Sequence, residues 1–370
     1  MKITSMSVRR LRISAEPWYC GNPIPPGEPA FWEYPLLCLR TDGGIEGYAM
    51  GYGTNGEGRA NACLLHDVYR DVLLGMNSLH SEEIWQRLRR LHRHLYLQSD
   101  AIWGQIDVAL WDIRGKAANL PIAALLGICR TSVPSYHTGS YFVHTPELIY
   151  NEAQRIRDAG YIGAKFNFYD GPAKDVPRLR AAREAVGNDF PLMLDGSSFY
   201  SFTDALAVGH ELDRLNYLWF EEPVYDRQIG VLKELARQLK TPILATETLS
   251  LAETTEFLRE GAVDLLRGDV MLKAGVTGLR KLCGAAELFG LNVEIHTCTS
   301  PLLDVANLHV LCSIGNSRFL ESHHSMFRFG MKGRPLDIDA AGLVHLPSGP
   351  GLGVELDWDW IDNHTVEEAK

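Results

Sequence analysis

The sequence lacks the features of several protein classes. Its seven cysteines are widely spaced and include no C-x-x-C pair, which argues against a disulfide framework or a zinc knuckle and for a reducing compartment. It has no basic excess, since the formal net charge is −10 and Lys and Arg are scattered. No apolar run is long enough to span a bilayer, and no apolar signal core opens the chain. We therefore predict a cytoplasmic protein that binds neither nucleic acid nor membrane.

The composition is that of a folded protein. Hydrophobic residues make up 46% of the chain and charged residues 22%, which excludes a disordered class. A chain of 370 residues is too long for one ordinary hydrophobic core. We expect two domains, or one barrel with an added domain.

The first quarter of the chain is typical of antiparallel strands followed by helices. Residues 2–13 alternate weakly, and the segment Tyr34–Met50 is typical of a hairpin. Between them, residues 16–33 contain five prolines, which forbid regular pairing and predict a loop. This loop either covers a ligand, with Trp18 and Tyr19 as candidate substrate contacts, or packs on its own core. From residue 60 to residue 126 the hydrophobic periodicity is helical.

After Gly127 the pattern changes to short apolar strands alternating with helices. Eight such strands fit a TIM-type (β/α) barrel, an α/β fold; a doubly wound open sheet is the alternative, but it more often has five or six strands. We predict a barrel over residues 127–336, capped by an α+β domain of residues 1–126 to which the tail of residues 337–370 returns. The predicted strands are Val133–His137, Ala164–Phe168, Leu192–Asp195, Tyr217–Phe220, Ile243–Ala245, Asp264–Arg267, Asn292–His296 and Arg318–Leu320.

A glycine motif near the end of the predicted hairpin does not indicate a dinucleotide site. Residues 51–56 match G-x-G-x-x-G, but the preceding strand closes a hairpin and the following helix leads into more helix. A dinucleotide site needs a parallel βαβ unit instead. We interpret this segment as a flexible glycine-rich loop.

Three acids end successive predicted strands. Asp195, Glu221 and Glu247 follow one another at intervals of 26 residues, one βα unit each. The strand ends of a barrel converge on one mouth, where three carboxylates would repel one another unless a cation held them. Oxygen ligands favour a hard ion such as Mg²⁺. The alternative, that each acid is a helix cap or a surface ion-pair member, is weaker for three acids in phase.

Basic groups occur at neighbouring strand ends. Lys165 and Asn167 alternate on the second strand and so point to the same side. Asp269 follows the sixth strand and His296 ends the seventh, so the carboxylate can hold the imidazole and raise its basicity. Glu321 ends the eighth strand.

Together these patterns resemble the mandelate racemase subgroup of the enolase superfamily over nearly the whole chain. The segment from Ile106 to Lys116, with Pro121 and Leu125-Leu-Gly127, is similar to the subgroup's helical signature. The other matching motifs are Phe220-Glu-Glu-Pro223, whose first Glu binds metal, Asp269 before Gly275-Val-Thr-Gly278 with His296 as the His–Asp dyad, and Phe319-Leu-Glu321, whose Glu hydrogen-bonds the substrate carboxylate.

The resemblance implies a mechanism. Mg²⁺ on Asp195, Glu221 and Glu247 would bind a substrate carboxylate, Lys165 and Glu321 would stabilise the enediolate, and His296, oriented by Asp269, would remove the α-proton. Two departures matter. The family's second strand usually carries Lys-x-Lys, whereas Asn167 occupies the second position here and cannot take a proton. The fifth strand usually ends Gly-Glu, whereas Thr246 precedes Glu247 here.

With one evident base, we predict dehydration of a sugar acid to a 2-keto-3-deoxy acid. The alternative is racemisation, epimerisation or cycloisomerisation, with Tyr169 or His137 acting opposite His296; both are also candidate substrate contacts. A third interpretation is a non-catalytic metal- or carboxylate-binding protein, disfavoured because every ligand and dyad position is filled. We expect a homo-oligomer whose partner is a small-molecule carboxylate.

Overall fold

The computed structural model describes residues 1–14, 31–51, 53, 57–92, 99–139, 145–297, 300–323 and 328–370. Its strands are β1 (Ile3–Ser14), β2 (Phe31–Thr41), β3 (Glu46–Met50), β4 (Ser132–Thr138), β5 (Ala164–Asn167), β6 (Leu192–Asp195), β7 (Trp219–Glu221), β8 (Ile243–Ala245), β9 (Leu265–Gly268), β10 (Asn292–Ile295), β11 (Leu320–Ser322), β12 (Leu343–His345) and β13 (Thr365–Ala369).

The helices alternate with the strands after β3. They are α1 (Glu57–Leu64), α2 (Arg70–Leu73), α3 (Ser81–His92), α4 (Asp100–Ala118), α5 (Ile122–Leu126), α6 (Pro146–Asp158), α7 (Pro172–Val186), α8 (Phe202–Arg214), α9 (Ile229–Gln238), α10 (Leu251–Glu260), α11 (Gly275–Leu288), α12 (Pro301–Leu311) and α13 (Trp358–His364), with a π turn at Leu65–Tyr69 between α1 and α2. None of the helices in these described ranges is long and apolar enough to cross a membrane.

The first sheet is antiparallel, in the order β13-β1-β2-β3. The predicted hairpin of β2 and β3 is confirmed, with Leu39 opposite Gly47. The last strand of the chain, β13, pairs with β1, which brings the C-terminal end back to this sheet. Helix α4 covers the sheet, and most of its residues are buried because it packs on both β3 and α11 of the barrel.

The second sheet is the predicted α/β barrel. Its eight parallel strands run in the order β10-β9-β8-β7-β6-β5-β4-β11. All eight predicted strands are confirmed, with ends shifted by at most two residues. The strand ladder is open between β10 and β11, where a backbone bond from Val293 N–H to Asn316 O (2.8 Å) and a bond from Arg318 N–H to the Glu294 carboxylate (3.1 Å) join the two edges instead.

The side chains that point into the barrel form two layers, an apolar one below and a polar one at the carboxyl ends of the strands. Tyr136, Met193, Trp219, Leu244 and Leu265 form a separate apolar cluster. Two residues further along three of these strands stand Asp195, Glu221 and Arg267, which point to the same interior because successive side chains alternate between faces. Polar groups therefore collect at the carboxyl ends of the strands, above an apolar base.

Local signals placed the helix starts correctly. Thr145 accepts a hydrogen bond from Leu148 N–H with Pro146 at the first turn, and Ser250 with Glu253 forms the predicted capping box. The tail divides between the two sheets. Strand β12 pairs antiparallel with β4 of the barrel, whereas β13 joins β1.

Candidate active site

The carboxyl ends of the barrel strands surround a cavity of about 360 Å³. Parallel pairing sets Asn167 beside Asp195 and Asp195 beside Glu221, so the ends of β5, β6 and β7 lie level. The cavity is lined by Lys165, Asn167, Asp195, Ser197, Ser198, Glu222, Tyr225, Asp226, Glu247, Thr248, His296 and Glu321. Six of the eight catalytic and metal-site residues predicted from the sequence therefore line this cavity. A seventh, Asp269, lies behind the wall and contacts His296.

The remaining predicted ligand, Glu221, lies beneath the cavity floor and is fully buried. Its Oε2 accepts a hydrogen bond from Lys165 Nζ at 2.9 Å, and its Oε1 lies 2.8 Å from Arg267 Nε. The Trp219 indole N–H also donates to Oε2, at 3.3 Å. Both carboxylate oxygens of Glu221 therefore face cations in this structure.

Two buried cations organise the site. Lys165 Nζ lies 2.9 Å from both Glu221 and Glu321 and 3.3 Å from Asp195. Burial by itself lowers the pKa of Lys165, but the Glu221 and Glu321 carboxylates raise it well above its ordinary value. Lys165 is thus held as an ammonium ion that can neutralise negative charge developing on a substrate.

The second cation, Arg267, was not among the residues predicted from the sequence. Its guanidinium is fully buried and also hydrogen-bonds Glu321, the Tyr136 hydroxyl (3.2 Å) and the Ile295 carbonyl (3.2 Å). Burial raises the pKa of Glu321, but the positive charges of Arg267 and Lys165 lower it more. The pKa of Glu321 is therefore well below its ordinary value. The available signal was an arginine as the last residue of a predicted barrel strand, where the interior is otherwise apolar.

The donor set fits a hard divalent cation. In the part of the chain that the structure describes, no three His, Cys, Asp or Glu side chains already converge on one metal position, and Lys165 lies among the carboxylates instead. Asp195 and Glu247 nevertheless offer carboxylate oxygens at the cavity. The pKa of the neighbouring Glu222 is raised well above its ordinary value, first by burial and then by the negative charges of Glu247 and Asp195. Such excess negative charge with oxygen-only donors suits Mg²⁺.

The His–Asp pair has the predicted geometry. His296 Nδ1 lies 2.7 Å from Asp269 Oδ2, while His296 Nε2 lies 3.5 Å from Glu247 Oε1 at the cavity. Burial lowers the pKa of His296, but Glu247 and Asp269 raise it to about 9. Asp269 is fixed in turn, because its Oδ1 accepts from the backbone N–H groups of Met271 and Leu272 at 2.7 Å each.

A residue of α12 also supports this pair and was missed from the sequence. Asn307 accepts from Val270 N–H (2.9 Å) and donates to the His296 carbonyl (3.0 Å), tying the ends of β9 and β10 together. A single buried Asn within an apolar helix was the only signal for it.

Asn167 stands on β5, separated from β10 by β4 and β11 in the ring. Its side chain is 6% exposed and lines the cavity. Among the described residues its Oδ1 has no hydrogen-bond partner. A buried acceptor without a donor is costly, so this amide is suited to receive a hydroxyl group from a bound molecule.

Of the four residues predicted as substrate contacts, His137 and Tyr169 are among the described residues. His137 packs edge-on against Tyr161, and Tyr169 stacks on Phe199 at 4.4 Å between ring centroids and is 42% exposed. Neither lines this cavity, and their roles as substrate contacts stay predictions. Trp18 and Tyr19 lie outside the described residues, as do most of residues 51–56.

Comparison with known proteins identifies the family of this chain. The sequence profile described as Enolase C-terminal domain-like matches residues 149–360. The profile described as Mandelate racemase / muconate lactonizing enzyme, N-terminal domain, matches residues 32–127. An arabinonate dehydratase of Saccharolobus solfataricus is 30% identical over 340 residues, which cover 87% of this chain and 88% of that protein.

Two further relatives are a cycloisomerase and a second dehydratase. D-galactarolactone cycloisomerase of Agrobacterium fabrum is 29% identical over 342 residues, covering 88% of this chain and 89% of that protein. The crystal structure of D-glucarate dehydratase from Agrobacterium tumefaciens complexed with magnesium has a TM-score of 0.87 at 30% identity, covering 99% of this chain and 100% of that chain. The family predicted from the motifs is confirmed: this chain belongs to the enolase superfamily, with the N- and C-terminal domains of the mandelate racemase and muconate lactonizing enzymes.

Proposed function

We propose that the protein is a Mg²⁺-dependent dehydratase of a sugar acid, an aldonate or aldarate. It would remove the proton α to the carboxylate and eliminate water to give a 2-keto-3-deoxy acid. The observation that carries this proposal is the His296–Asp269 pair at 2.7 Å, facing a cavity whose other wall presents the amide of Asn167 instead of a second base.

Asp195, Glu221 and Glu247 would hold the metal, and Mg²⁺ when bound would draw the substrate carboxylate into place and acidify its α-C–H. Lys165 and Glu321 share a contact of 2.9 Å at the cavity. The ammonium of Lys165 would offset negative charge that develops on the substrate carboxylate as the α-proton leaves. Glu321 is held against Lys165 and Arg267, which keeps both cations in position.

One base suffices for elimination. His296 Nε2 takes the α-proton, the α–β carbon double bond forms as the bond from the β-carbon to its hydroxyl breaks, and His296 returns the proton to the departing hydroxide as water. The resulting enol becomes the keto acid when solvent protonates the β-carbon. Racemisation, by contrast, needs a proton donor on the opposite face, and an amide cannot serve as one.

A cycloisomerase or epimerase is the second candidate. The observation that favours it is the similarity to D-galactarolactone cycloisomerase, which is nearly as strong as that to the arabinonate dehydratase. It is ranked lower because neither His137 nor Tyr169 lines the described cavity opposite His296.

The deciding experiment incubates purified protein with Mg²⁺ and a panel of aldonic and aldaric acids in D₂O. We expect release of a 2-keto-3-deoxy acid from at least one of them, detected as the semicarbazone and by NMR. Deuterium at the α-carbon with inversion and no keto acid would instead establish the epimerase. Neither product nor exchange with any acid would reject both enzymes in favour of a binding protein.

A variant pair tests the single base. His296→Asn should lose roughly 10²–10⁴-fold or more of the rate together with all α-proton exchange, because no second base remains. Asn167→Ala should lose much less, since Asn167 only hydrogen-bonds substrate in this scheme. Near wild-type exchange in His296→Asn would reveal a base on the other face and overturn the one-base argument. Mg²⁺ affinity is measured for both variants, so that loss of metal is not mistaken for loss of the base.

A further inference from the structure

Thr246 has a backbone conformation that its side chain disfavours. Its φ is +91° and it is fully buried, immediately before Glu247. Glycine adopts a positive φ freely, whereas a β-branched residue there is a genuine outlier. The segment must therefore be held by contacts stronger than the preference of Thr246 for another conformation.

The Thr246 hydroxyl supplies the first of these contacts. Its Oγ1 donates to the Arg267 carbonyl at 3.0 Å and accepts from the Arg267 backbone N–H at 3.2 Å. The hydroxyl thereby makes the two hydrogen bonds to the β9 backbone that a neighbouring strand's own backbone would make in a regular sheet. Glycine at this position would lack this hold.

Lys273 supplies the second. It is fully buried, and its ammonium donates to the carbonyls of Thr246 (2.5 Å), Glu247 (3.1 Å) and Leu249. An ammonium ion has three N–H donors, so all of them are used on one loop. A third contact comes from Glu222, whose Oε1 accepts from Glu247 N–H at 3.0 Å.

We propose that Lys273 is a positioning residue that clamps the loop Thr246–Leu249 in its strained conformation and so directs the Glu247 carboxylate to the metal site. The inference rests on the proposed function only in its metal. It assigns a role to a buried lysine that does not line the cavity, and it explains how Thr is tolerated before this ligand. Without the clamp, relief of strain at Thr246 turns Glu247 away from the cavity.

The test compares Mg²⁺ affinity by isothermal titration calorimetry in Lys273→Met, Thr246→Gly and the double variant. Lys273→Met should bind Mg²⁺ about 10- to 100-fold more weakly, the usual effect of losing a residue that supports a metal ligand. Thr246→Gly should stay within about 3-fold of wild type, since it loses the hydroxyl hold but also the strain. The double variant should recover to within about 3-fold of Thr246→Gly, because glycine needs no clamp. Lys281→Met, on a 43% exposed side chain of the adjacent α11, is the matched control and should bind like wild type.

Additive losses in the double variant would overturn the clamp, since a lysine that merely fills space is not rescued by glycine elsewhere. If wild type itself binds no Mg²⁺, the proposed function fails instead; the clamp is then judged by urea unfolding, where the same rescue is expected. If Lys273→Met does not fold, Lys273→Gln replaces it: its amide has two N–H donors for three carbonyls, so it should bind Mg²⁺ more weakly than wild type, and adding Thr246→Gly should restore binding. Binding by Lys273→Gln equal to wild type, or no recovery in that double variant, would reject the proposal.

Discussion

At the scale of single residues, the site is defined by charges that compensate one another out of water. Lys165 and Arg267 are both buried, and each contacts Glu221 and Glu321. A lone buried charge is expensive, so each of the four groups depends on the others. This network makes the floor of the cavity rigid before any ligand binds.

Arg267→Met tests this dependence. Removing the guanidinium leaves Glu221 and Glu321 with Lys165 as their shared cation, so we expect the free energy of unfolding to fall by about 3–5 kcal/mol. Urea denaturation measures it. The control is Arg237→Met, which breaks an ion pair with Glu234 at the surface and should change stability little. Equal effects of the two variants would contradict a compensated buried network.

At the scale of elements, α4 joins the two sheets through its acids. The first residue position of α11 follows Ala274, which has no side-chain acceptor to cap the helix. Asp107 of α4 acts in its place, accepting from Thr277 N–H at 2.9 Å and from Thr277 Oγ1 at 2.8 Å. Asp112, on the same helix, accepts from Tyr48 N–H and Leu352 N–H. Two acids of the helical signature found in the sequence therefore hold other elements in place: Asp107 caps α11, and Asp112 binds backbone N–H groups of β3 and of the C-terminal segment.

Asp107 predicts a pH-dependent stability. Burial raises its pKa from 3.8 to about 7, although the Thr277 hydrogen bonds oppose the shift. Because folding raises this pKa, the group stabilises the folded state at low pH and loses that contribution as the pH rises from about 4 to about 7. The stability of wild type relative to Asp107→Asn should thus fall across this range, by at most about 4 kcal/mol. Urea unfolding at several pH values checks it; a constant difference would show that Asp107 does not titrate there.

At the scale of the whole molecule, the metal should couple the strand ends to global stability. Asp195 and Glu247 line the cavity and Glu221 lies beneath its floor, so an ion that binds these acids only in the folded state adds stability by mass action. We expect Mg²⁺ at about 100 times its Kd to add about 2.7 kcal/mol, measured by thermal unfolding with and without chelator. Glu221→Gln should remove most of this gain and abolish turnover. Full activity in excess chelator would refute the metal site.

The accuracy of the sequence predictions follows the range of the interactions involved. Strand positions and helix caps were correct because each depends on a few neighbouring residues: an apolar run ending in an acid, or Ser250 with Glu253 three residues on. The residues missed from the sequence act through partners distant in the chain: Arg267 contacts Glu321, and Asn307 accepts from Val270 N–H. His137 and Tyr169 contact Tyr161 and Phe199 and do not line the cavity, so their roles as substrate contacts stay predictions.

The sequence by itself determined the order of the barrel strands, and it determined that Asp195, Glu247, His296 and Glu321 would end at one mouth, because parallel strands in register bring their carboxyl ends together. Only the tertiary structure decided their partners. Arg267 meets Glu221 and Glu321 across the barrel interior, and Lys273 reaches back to the loop after β8. Such contacts join residues far apart in the chain, and they depend on how the strands curl and which groups are left without water, neither of which a local pattern encodes.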